Sequence, residues 1–232
     1  MSAKKVLVVD DEASIREMLR LALEISDFEC LEAADIHEAY RLITDESPDM
    51  VLLDWMLPGG SGIELLRRLK KEEATQALPV IMLTAKTHED NVVQGLEVGA
   101  DDYITKDVSI AQLLARVAAL LRRVEALRTP VEAGQVLERG RTVVDQDRMQ
   151  VSYDGQVVAL TITEFWLLYS LVRYPGHVKN RDQLMQDAGV VVDDGTITSH
   201  VKRIRKKFQL VAADFDCIET VYGAGYRWVC DS

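Results

Sequence analysis

Residues 50–54 end in a carboxylate whose position suits phosphoryl chemistry. Asp54 follows an apolar run of strand type, and Pro58, Gly59 and Gly60 then interrupt the chain. In open α/β sheets, ligands bind just outside the carboxyl ends of the strands. An aspartate in that place can act as a nucleophile and form an acyl phosphate. Taken alone, Asp54 could equally be a strand-terminal residue that caps the next turn, so its interpretation as a phosphoryl acceptor depends on the residues that accompany it.

Three further strand-type runs end in residues that suit this chemistry. Asp10 and Asp11 follow the first apolar run, Thr84 ends the fourth, and Lys106 ends the fifth. Crowded carboxylates require a neutralising cation, and oxygen ligands with open positions suit Mg²⁺, which also holds phosphate oxygens. The hydroxyl of Thr84 and the ammonium of Lys106 can donate to a phosphoryl group on Asp54. Each residue has an ordinary alternative, such as a helix N-cap for Asp10, but the four strand ends together favour a phosphorylation site with magnesium.

The first half of the chain alternates between strands and helices. Strand-type runs occupy 6–9, 28–33, 50–54, 79–84 and 102–106, and apolar residues at helical spacing occupy 15–22, 37–43, 62–71, 91–98 and 110–124. This alternation predicts a parallel sheet with helices on both faces. Five strands suit the flavodoxin-like α/β order 2-1-3-4-5, whose switch point lies outside strands 1 and 3. We therefore expect a domain of residues 1–123 in which Asp10 and Asp11 lie beside Asp54.

A linker and a second domain follow. The apolar period is lost at 124–135, which contains Pro130 and Gly134 and reads as a linker. Residues 136–232 then show short strands, three helices and a hairpin with glycines at its bend. The segment 153–156 has Asp-Gly at its centre, which is typical of a tight β-hairpin. This order of elements predicts an α+β winged helix-turn-helix domain, whose recognition helix enters the major groove of DNA.

The third helix of this domain, predicted at 197–208, carries clustered positive charge. Its apolar residues follow the spacing i, i+4, i+7, i+11, which places one stripe in a core; they are Ile197, Val201, Ile204 and Phe208. We expect the other side chains to face outward and bind phosphates and base edges; they are Thr196, Ser199, His200, Lys202, Arg203, Arg205, Lys206 and Lys207. In the hairpin that follows this helix, we expect Thr220, Tyr222 and Tyr226 to face outward and contact DNA as well. A solvated basic face is the common alternative, and the neighbouring helix and hairpin favour DNA recognition over it.

Charge and cysteine content restrict the function classes. Residues 1–134 carry 15 Lys and Arg against 25 Asp and Glu, whereas residues 135–232 carry 12 against 13. The acidic first half argues against nucleic-acid binding there. Cys30, Cys217 and Cys230 are scattered and odd in number, so we expect no disulfide framework and a reducing cytosol. The sequence shows neither an apolar run of membrane-spanning length nor a secretory segment, which indicates a cytoplasmic protein with no membrane partner.

Residues 1–123 resemble a bacterial response-regulator receiver domain. The resemblance rests on four motifs, namely Val-Val-Asp10-Asp11-Glu12, Leu-Leu-Asp54-Trp-Met56-Leu-Pro58, Leu-Thr84-Ala-Lys86 and Gly99-Ala-Asp-Asp102-Tyr103-Ile-Thr-Lys106. It implies phosphorylation of Asp54 by a histidine kinase. It also implies that Asp11, Asp54 and the backbone carbonyl of Met56 ligate Mg²⁺ and that Asp10 acts through a water molecule.

The same resemblance implies how phosphorylation is used. Thr84 and Tyr103 would form a switch pair in which Tyr103 turns inward. The active homodimer would use the fourth helix, fifth strand and fifth helix, a face for which we expect the charged residues Asp101, Asp102, Arg116, Arg122 and Arg123. Asp107 stands where the family usually has a cis proline. A cis bond before a non-proline residue costs ~2.5–4 kcal/mol, so we expect a trans bond or a remodelled loop.

Residues 136–230 resemble the effector domain of the OmpR/PhoB subfamily. The motifs that carry this resemblance lie at 160–165, 180–184, 201–207 and 220–228. The resemblance implies binding to double-stranded promoter DNA and contact with RNA polymerase through the loop 188–194. Gly195 and Tyr222 stand where the family often has DNA-contacting arginines, so we expect a recognised sequence that differs from the common ones.

Three alternatives compete with a phosphorylation-controlled transcription regulator. A phosphatase that uses Asp54 would need a second carboxylate two residues later as general acid, and Met56 occupies that position. We therefore expect no enzyme activity beyond slow self-hydrolysis. A receiver that only dimerises would not require the full set of strand-end aspartates, threonine and lysine. RNA binding is disfavoured because A-form RNA hides its major groove, and the sequence shows no aromatic stacking surface.

Overall fold

The structure is a computed structural model that describes residues 3–58, 60–84, 98–128, 136–188 and 194–230. The chain divides into two compact units, residues 1–121 and 122–232. Within the described ranges, no helix is both long enough and apolar enough to cross a membrane. The domain limits at 123 and 136 remain predictions from the sequence.

The first unit is built on a five-stranded parallel sheet. Its strands are β1 (Lys4–Val9), β2 (Phe28–Ala33), β3 (Met50–Asp54), β6 (Val80–Thr84) and β7 (Asp102–Thr105), with a small pair, β4 (Met56–Leu57) and β5 (Gly60–Ser61), between β3 and the next helix. The order β2-β1-β3-β6-β7 confirms the flavodoxin-like prediction. All residues of β3 and β6 are buried, as expected for inner strands of a parallel sheet covered on both faces.

Helices α1 (Ala13–Ile25), α2 (Ile36–Glu46), α3 (Gly62–Lys71) and α4 (Ile110–Arg128) belong to the first half of the chain. The side chain of Asp35 caps α2, and Ser61 with Glu64 forms a capping box that begins α3. The helix predicted at 91–98 lies outside the described residues except for its last position. Because α4 continues to Arg128, residues 124–128 of the predicted linker are helical; residues 129–135 lie outside the described ranges.

The second unit combines a four-stranded antiparallel sheet, three helices and a hairpin. The sheet contains β8 (Val136–Arg139), β9 (Thr142–Asp145), β10 (Gln150–Tyr153) and β11 (Gln156–Val157), followed by α5 (Ile162–Arg173), α6 (Arg181–Ala188), α7 (Asp194–Val211), β12 (Ile218–Val221) and β13 (Gly225–Trp228). The predicted turn at 153–156 is present, with positive φ at Asp154 and Gly155. These elements confirm the winged helix-turn-helix architecture, in which α7 is the third helix and β12–β13 is the wing.

The core of the second unit contains the predicted apolar stripe of α7. Ile197, Val201, Ile204 and Phe208 are all buried. Phe208 stacks on Phe215, with ring centroids 4.2 Å apart. The stripe prediction is therefore confirmed.

The cysteines are expected to form no disulfide framework, but the structure contains one disulfide. Cys217 and Cys230 form a disulfide with their Cα atoms 4.8 Å apart, whereas Cys30 is free. The two cysteines precede β12 and follow β13, so the pairing of these strands brings them together. Sequence spacing carried no sign of this, because two cysteines at the base of a hairpin are adjacent only when the strand register is known.

Gly225 is required where the wing meets the chain before α6. Its φ is +143° and a Cβ atom here would lie 2.0 Å from the backbone oxygen of Lys179. The adjacent Tyr226 exchanges two backbone hydrogen bonds with Lys179, of 2.8 and 2.9 Å. We expect Gly225→Ala to destabilise the second unit by more than the ~1–3 kcal/mol of a strained backbone conformation alone, measured by urea unfolding of the full chain.

Gly223 at the wing tip provides the matched control. Its φ is +75°, but a Cβ atom built there meets nothing within 4 Å. Gly223→Ala should therefore cost only the left-handed strain of about 1–2 kcal/mol. Equal losses in the two variants would show that the close approach to Lys179 does not matter.

Candidate functional site

Asp10 and Asp54 lie side by side because their strands are neighbours. Strands β1 and β3 pair in parallel with Val9 opposite Leu53, and the two aspartates come next along each strand. Both are buried, while Asp11 is exposed. Carboxylate oxygens of Asp10, Asp11 and Asp54 all lie within 4.8 Å of one another. The structure thus brings the three predicted carboxylates into one cluster.

Lys106 reaches into this cluster from the end of β7. Its Nζ atom lies 2.6 Å from Asp10 Oδ2 and 3.1 Å from Asp54 Oδ2. Glu12 Oε1 lies 3.7 Å from the same Nζ. The backbone N–H of Lys106 donates to the carbonyl of Thr84 at 2.7 Å, which ties the lysine to the next strand of the sheet. Lys106 and Asp107 are joined by a trans bond, as expected from the energetic cost of the cis form.

Burial and neighbouring charge set the ionisation of these groups. Burial raises the pKa of Asp54 above its ordinary value, against the hydrogen bond and positive charge of Lys106, which lower it. Burial by itself would lower the pKa of Lys106, but hydrogen bonds to Asp10 and Asp54 outweigh it and raise that pKa. The lysine is therefore a permanent cation held beside the carboxylate of Asp54.

Thr84 and Tyr103 lie on the neighbouring strands β6 and β7. Thr84 is buried at the end of β6, next to β3 in the sheet. Tyr103 is buried as well and belongs to the core of the first unit. Burial raises the pKa of Tyr103, and the negative charge of Asp54 acts in the same direction. The tyrosine side chain thus points inward, within electrostatic reach of Asp54.

Two residues that the sequence did not single out shape this site. Arg16 donates from Nη1 to the backbone oxygens of Asp10 and Asp11, at 2.7 and 3.0 Å, so it holds the acidic loop closed. Gly62 begins α3, and a Cβ atom there would lie 1.9 Å from the backbone oxygen of Asp54. Neither role had a sequence signal, because each depends on where the loop after a strand places a backbone oxygen atom.

The carboxylate cluster suits a divalent metal of the hard, oxygen-preferring class. Its donors are carboxylate oxygens only, and Asp11 is exposed, which leaves positions open to water or phosphate. Mg²⁺ prefers oxygen ligands and retains several waters in such sites. Met56, whose carbonyl was predicted as a ligand, lies two residues beyond Asp54 in β4. The donor set is consistent with divalent-metal binding.

The charges predicted on the dimer face are largely neutralised within their own units. Asp101 is buried and pairs with Lys70 at 3.3 Å. Asp102 is buried and pairs with Arg116 at 3.2 Å. Arg123, which belongs to the second unit, is buried and donates to Thr163 Oγ1 at 2.8 Å. Asp101, Asp102 and Arg123, which we expect on the dimer face, are therefore buried and already engaged by these partners, and the dimer face itself stays a prediction.

Among the predicted face residues, Arg122 is exposed. Asp101, Asp102 and Arg123 are buried for a common reason. A buried charge is tolerated when a partner of opposite charge or a hydrogen-bond acceptor accompanies it, and sequence alone does not show which partners the fold supplies.

The structure also turns several predicted DNA-contacting side chains inward. Thr196, His200 and Arg203 on α7 are buried, so the expectation that they face outward is wrong. Together with Lys207, they have the same spacing as the apolar stripe, and each of them lies one residue before a member of that stripe. The buried face of α7 is therefore two stripes wide, and its second stripe is polar.

Glu164 on α5 is the reason for this polar stripe. Its carboxylate lies 2.9 Å from Arg203 Nε and 2.6 Å from Lys207 Nζ. It also accepts the backbone N–H of Thr161 at 2.8 Å. Burial alone would raise the pKa of Glu164, but the charges of Arg203 and Lys207 outweigh burial and lower the pKa to about 2. Glu164 is thus a buried anion shared by two cations of α7.

His200 completes the cluster as a neutral side chain. Its Nδ1 lies 2.7 Å from Arg203 Nη2, and because a guanidinium only donates, Nδ1 accepts this hydrogen bond. Burial lowers the pKa of His200 well below its ordinary value, and the charge of Arg203 lowers it further. His200 therefore has a structural role in the interior of the second unit.

The outward face of α7 and the wing carry the remaining predicted residues. Lys202 and Lys206 are exposed, and Ser199, Arg205 and Lys207 are partly exposed. Tyr222 at the wing tip is 95% exposed. Tyr226 was expected to face outward, but it is buried and donates to Thr198 Oγ1 at 3.3 Å.

Arg205 connects this face of α7 to the wing. Its guanidinium donates to the backbone oxygen of Ile218 at 2.8 and 3.2 Å and to Thr220 Oγ1 at 2.8 Å. The side chain predicted to contact DNA thus braces β12 against α7. Thr220 accepts one of these bonds and is partly exposed.

Comparison with known proteins assigns both units. Residues 6–118 match the response regulator receiver domain family, and residues 155–228 match the family described as transcriptional regulatory protein, C terminal. The chain is 45% identical over 231 residues to the phosphate regulon transcriptional regulatory protein PhoB of Pseudomonas aeruginosa, with 98% of each chain covered. It is 40% identical to the transcriptional regulatory protein ResD of Bacillus subtilis, with 97% of this chain and 95% of that protein covered.

A solved structure supports the same assignment. The response regulator DrrB, an OmpR/PhoB homologue from Thermotoga maritima, matches 98% of this chain and 99% of its own, with 28% identity and a TM-score of 0.51. The two domains imply a histidine kinase and promoter DNA as partners. With an acidic phosphorylation-type cluster in one unit and a winged helix in the other, the chain belongs to the OmpR/PhoB-type response regulators, the phosphorylation-dependent transcription regulators of two-component systems.

Proposed function

We propose that Asp54 accepts the phosphoryl group from a phosphohistidine of the partner kinase. The observation that carries this proposal is the position of Asp54, buried at a strand end with Lys106 Nζ 3.1 Å from its carboxylate. In the transfer, a carboxylate oxygen forms a bond to phosphorus while the bond from phosphorus to the imidazole nitrogen breaks. Lys106 and the Thr84 hydroxyl then donate to the phosphoryl oxygens.

Mg²⁺ is the cation that this donor set suits best. Asp10, Asp11 and Asp54 would hold it, with the backbone carbonyl of Met56 as the further ligand that the family resemblance implies. A bound cation supplies positive charge that offsets the repulsion between the carboxylates and the incoming phosphoryl group. Arg16 supports the site by holding the backbone of Asp10 and Asp11 in place.

The DNA-contacting surface is proposed to be the exposed side of α7 together with the wing tip. Lys202 and Lys206 supply phosphate contacts, and Tyr222 supplies the contact of the wing. Loss of one phosphate contact reduces the salt dependence of binding by about one unit of slope. Arg205 supports this surface by holding the wing against the helix.

Phosphorylation is proposed to act through a homodimer of the receiver unit. Tyr103 lies on β7 within electrostatic reach of Asp54, so a charge change at Asp54 acts on packing at this side of the sheet. Cytoplasmic location and contact with RNA polymerase follow from the same function, with the polymerase contact assigned to the loop 188–194. Residues 189–193 of that loop lie outside the described ranges.

Sedimentation of the full chain with and without beryllofluoride and Mg²⁺ tests this proposal. We expect the phosphoryl mimic to tighten dimerisation by about tenfold or more, within the usual range of allosteric coupling. Arg122→Glu should weaken the dimer because Arg122 is one of the charged residues expected on the dimer face and is exposed on α4. Arg41→Glu, an exposed change on α2, is the control. Equal dimer constants with and without the mimic would contradict phosphorylation-driven dimerisation.

A further inference from the structure

A surface recess lies beside the base of the wing. It has a volume of about 390 Å³, which is within the range of small-molecule sites. Its walls are formed by Gly140, Arg141, Tyr153, Asp214, Asp216 and the two disulfide-bonded cysteines. The disulfide is thus part of an open recess that a small molecule can enter, although one of its cysteines is buried.

The two disulfide-bonded cysteines differ in exposure. Cys217 is buried, whereas Cys230 is partly exposed and follows the last strand. Backbone contacts already hold them together, since the N–H of Val229 donates to the carbonyl of Cys217 at 2.8 Å. Trp228 Nε1 donates to the carbonyl of Cys230 at the same distance. The two sulfurs should therefore remain near each other after reduction, and Cys230 is the more exposed residue of the pair.

The disulfide adjoins the contact between the wing and the proposed recognition helix. Ile218, the residue next to Cys217, accepts two hydrogen bonds from Arg205 of α7. Thr220, two residues further along β12, accepts a third. A covalent bond at Cys217 thus fixes the base of the strand that Arg205 holds.

We propose that Cys217 and Cys230 form a reversible redox site at which low-molecular-weight thiols and disulfides without net negative charge open and close the base of the wing. In oxidation, the Cys230 thiolate attacks a sulfur of the small disulfide, forms a mixed disulfide and releases one thiolate. The Cys217 thiolate then attacks the sulfur of Cys230 and releases the second. The two protons lost by the cysteines pass to the released thiolates, and the small disulfide takes up two electrons.

The charge of the recess supports this choice of reactant. Asp214 and Asp216 line it, and the positive charge of Arg141 is already paired with Asp154 and Asp214. The remaining negative charge repels an anionic disulfide and attracts a cationic one. Cystamine should therefore oxidise the reduced chain several times faster than glutathione disulfide.

Bond formation should strengthen DNA binding by pre-organising the wing. A disulfide removes conformational freedom from the chain between its two ends, and a pre-organised binding surface loses less entropy on association. In the reduced chain, the segment 218–229 should exchange its amide hydrogens about tenfold faster or more. Affinity for duplex DNA should fall about three- to tenfold.

The test uses the full chain in defined cysteamine and cystamine mixtures. Free thiols are alkylated after acid quenching and counted by mass spectrometry, and hydrogen exchange and binding to a mixed-sequence duplex at low salt are measured on the same samples. The proposal expects a reversible change between the two thiol states within the accessible mixtures. Cys30→Ser should behave like the original chain, and Cys217→Ser with Cys230→Ser should bind like the reduced chain in every mixture.

Two results would overturn the redox site. The bond could resist all mixtures, which would make it a permanent structural bond. Alternatively, exchange in the wing and DNA affinity could be the same in both thiol states, which would remove its connection to DNA binding. A faster reaction with glutathione disulfide than with cystamine would contradict the assignment of the recess as the route of entry.

Discussion

Replacing Asp54 with asparagine is expected to abolish incorporation of a phosphoryl group from a small phosphodonor in the presence of Mg²⁺. The amide lacks the nucleophilic carboxylate oxygen that forms the acyl phosphate. Loss of the fold would not explain the result, because the substitution removes a buried charge whose pKa is already raised by burial and by the nearby Asp10. Intact-protein mass spectrometry of the full chain, before and after donor treatment, measures the effect.

Asp45→Asn is the matched control for this prediction. Asp45 is an exposed carboxylate on α2, so its loss should leave labelling unchanged. A chelator should suppress labelling of the original chain, because the three crowded carboxylates need a cation before they accept another anion. Persistent labelling of the Asp54→Asn chain would assign the acceptor to a different residue.

Replacing Glu164 with alanine is expected to destabilise the second unit by ~3–5 kcal/mol, the usual cost of breaking a buried ion pair. Arg203 would lose the carboxylate 2.9 Å from its Nε atom, and Lys207 would lose the one 2.6 Å from its Nζ. Helix α5 would also lose half of its capping box. Because a domain has only ~5–15 kcal/mol of net stability, this is a large fraction of the total.

Urea unfolding of the full chain, with hydrogen exchange to assign the transition to the second unit, measures this loss. Lys202→Ala is the control on the same helix: Lys202 is exposed, so its stability change should lie within ~0.5 kcal/mol while DNA affinity falls. The double change Glu164→Leu with Arg203→Met should cost less than the two single changes added together, since it removes both charges. Strict additivity would show that Glu164 and Arg203 do not form an energetic pair.

The same cluster predicts how the second unit responds to acid. The pKa of His200 in the folded chain is lowered by burial, so the unfolded chain binds its proton first and stability falls below the ordinary histidine pKa of ~6.5. The pKa of Glu164 is lowered from 4.5 to about 2. The stability that ionised Glu164 contributes is fully present above its unfolded pKa of 4.5, and it is lost as the pH falls from 4.5 to about 2. Glu164→Ala should therefore flatten the acid side of the stability profile.

The sequence by itself determined the fold of both units and the members of the acidic site. Apolar periodicity distinguishes strands from helices, and alternation of the two implies a parallel sheet. In such a sheet the carboxyl ends of neighbouring strands meet at one edge, so Asp10, Asp54, Thr84 and Lys106 were predicted to converge from their positions at strand ends. The distances from Lys106 to Asp10 and Asp54 agree with that convergence. The roles of these side chains remain predictions for the experiments above.

Tertiary structure alone decided which charged and sulfur-bearing side chains are buried and with which partners. Arg203 and His200 were expected on the outer face of α7 because a polar residue in a helix is usually exposed. Glu164, on a different helix, reverses this by supplying a buried negative charge. Cys217 and Cys230 likewise meet only through the register of the wing. Periodicity shows which face of an element is apolar. It does not show which polar side chain of another element lies opposite that face. This pairing decides whether charged and sulfur-bearing side chains are buried.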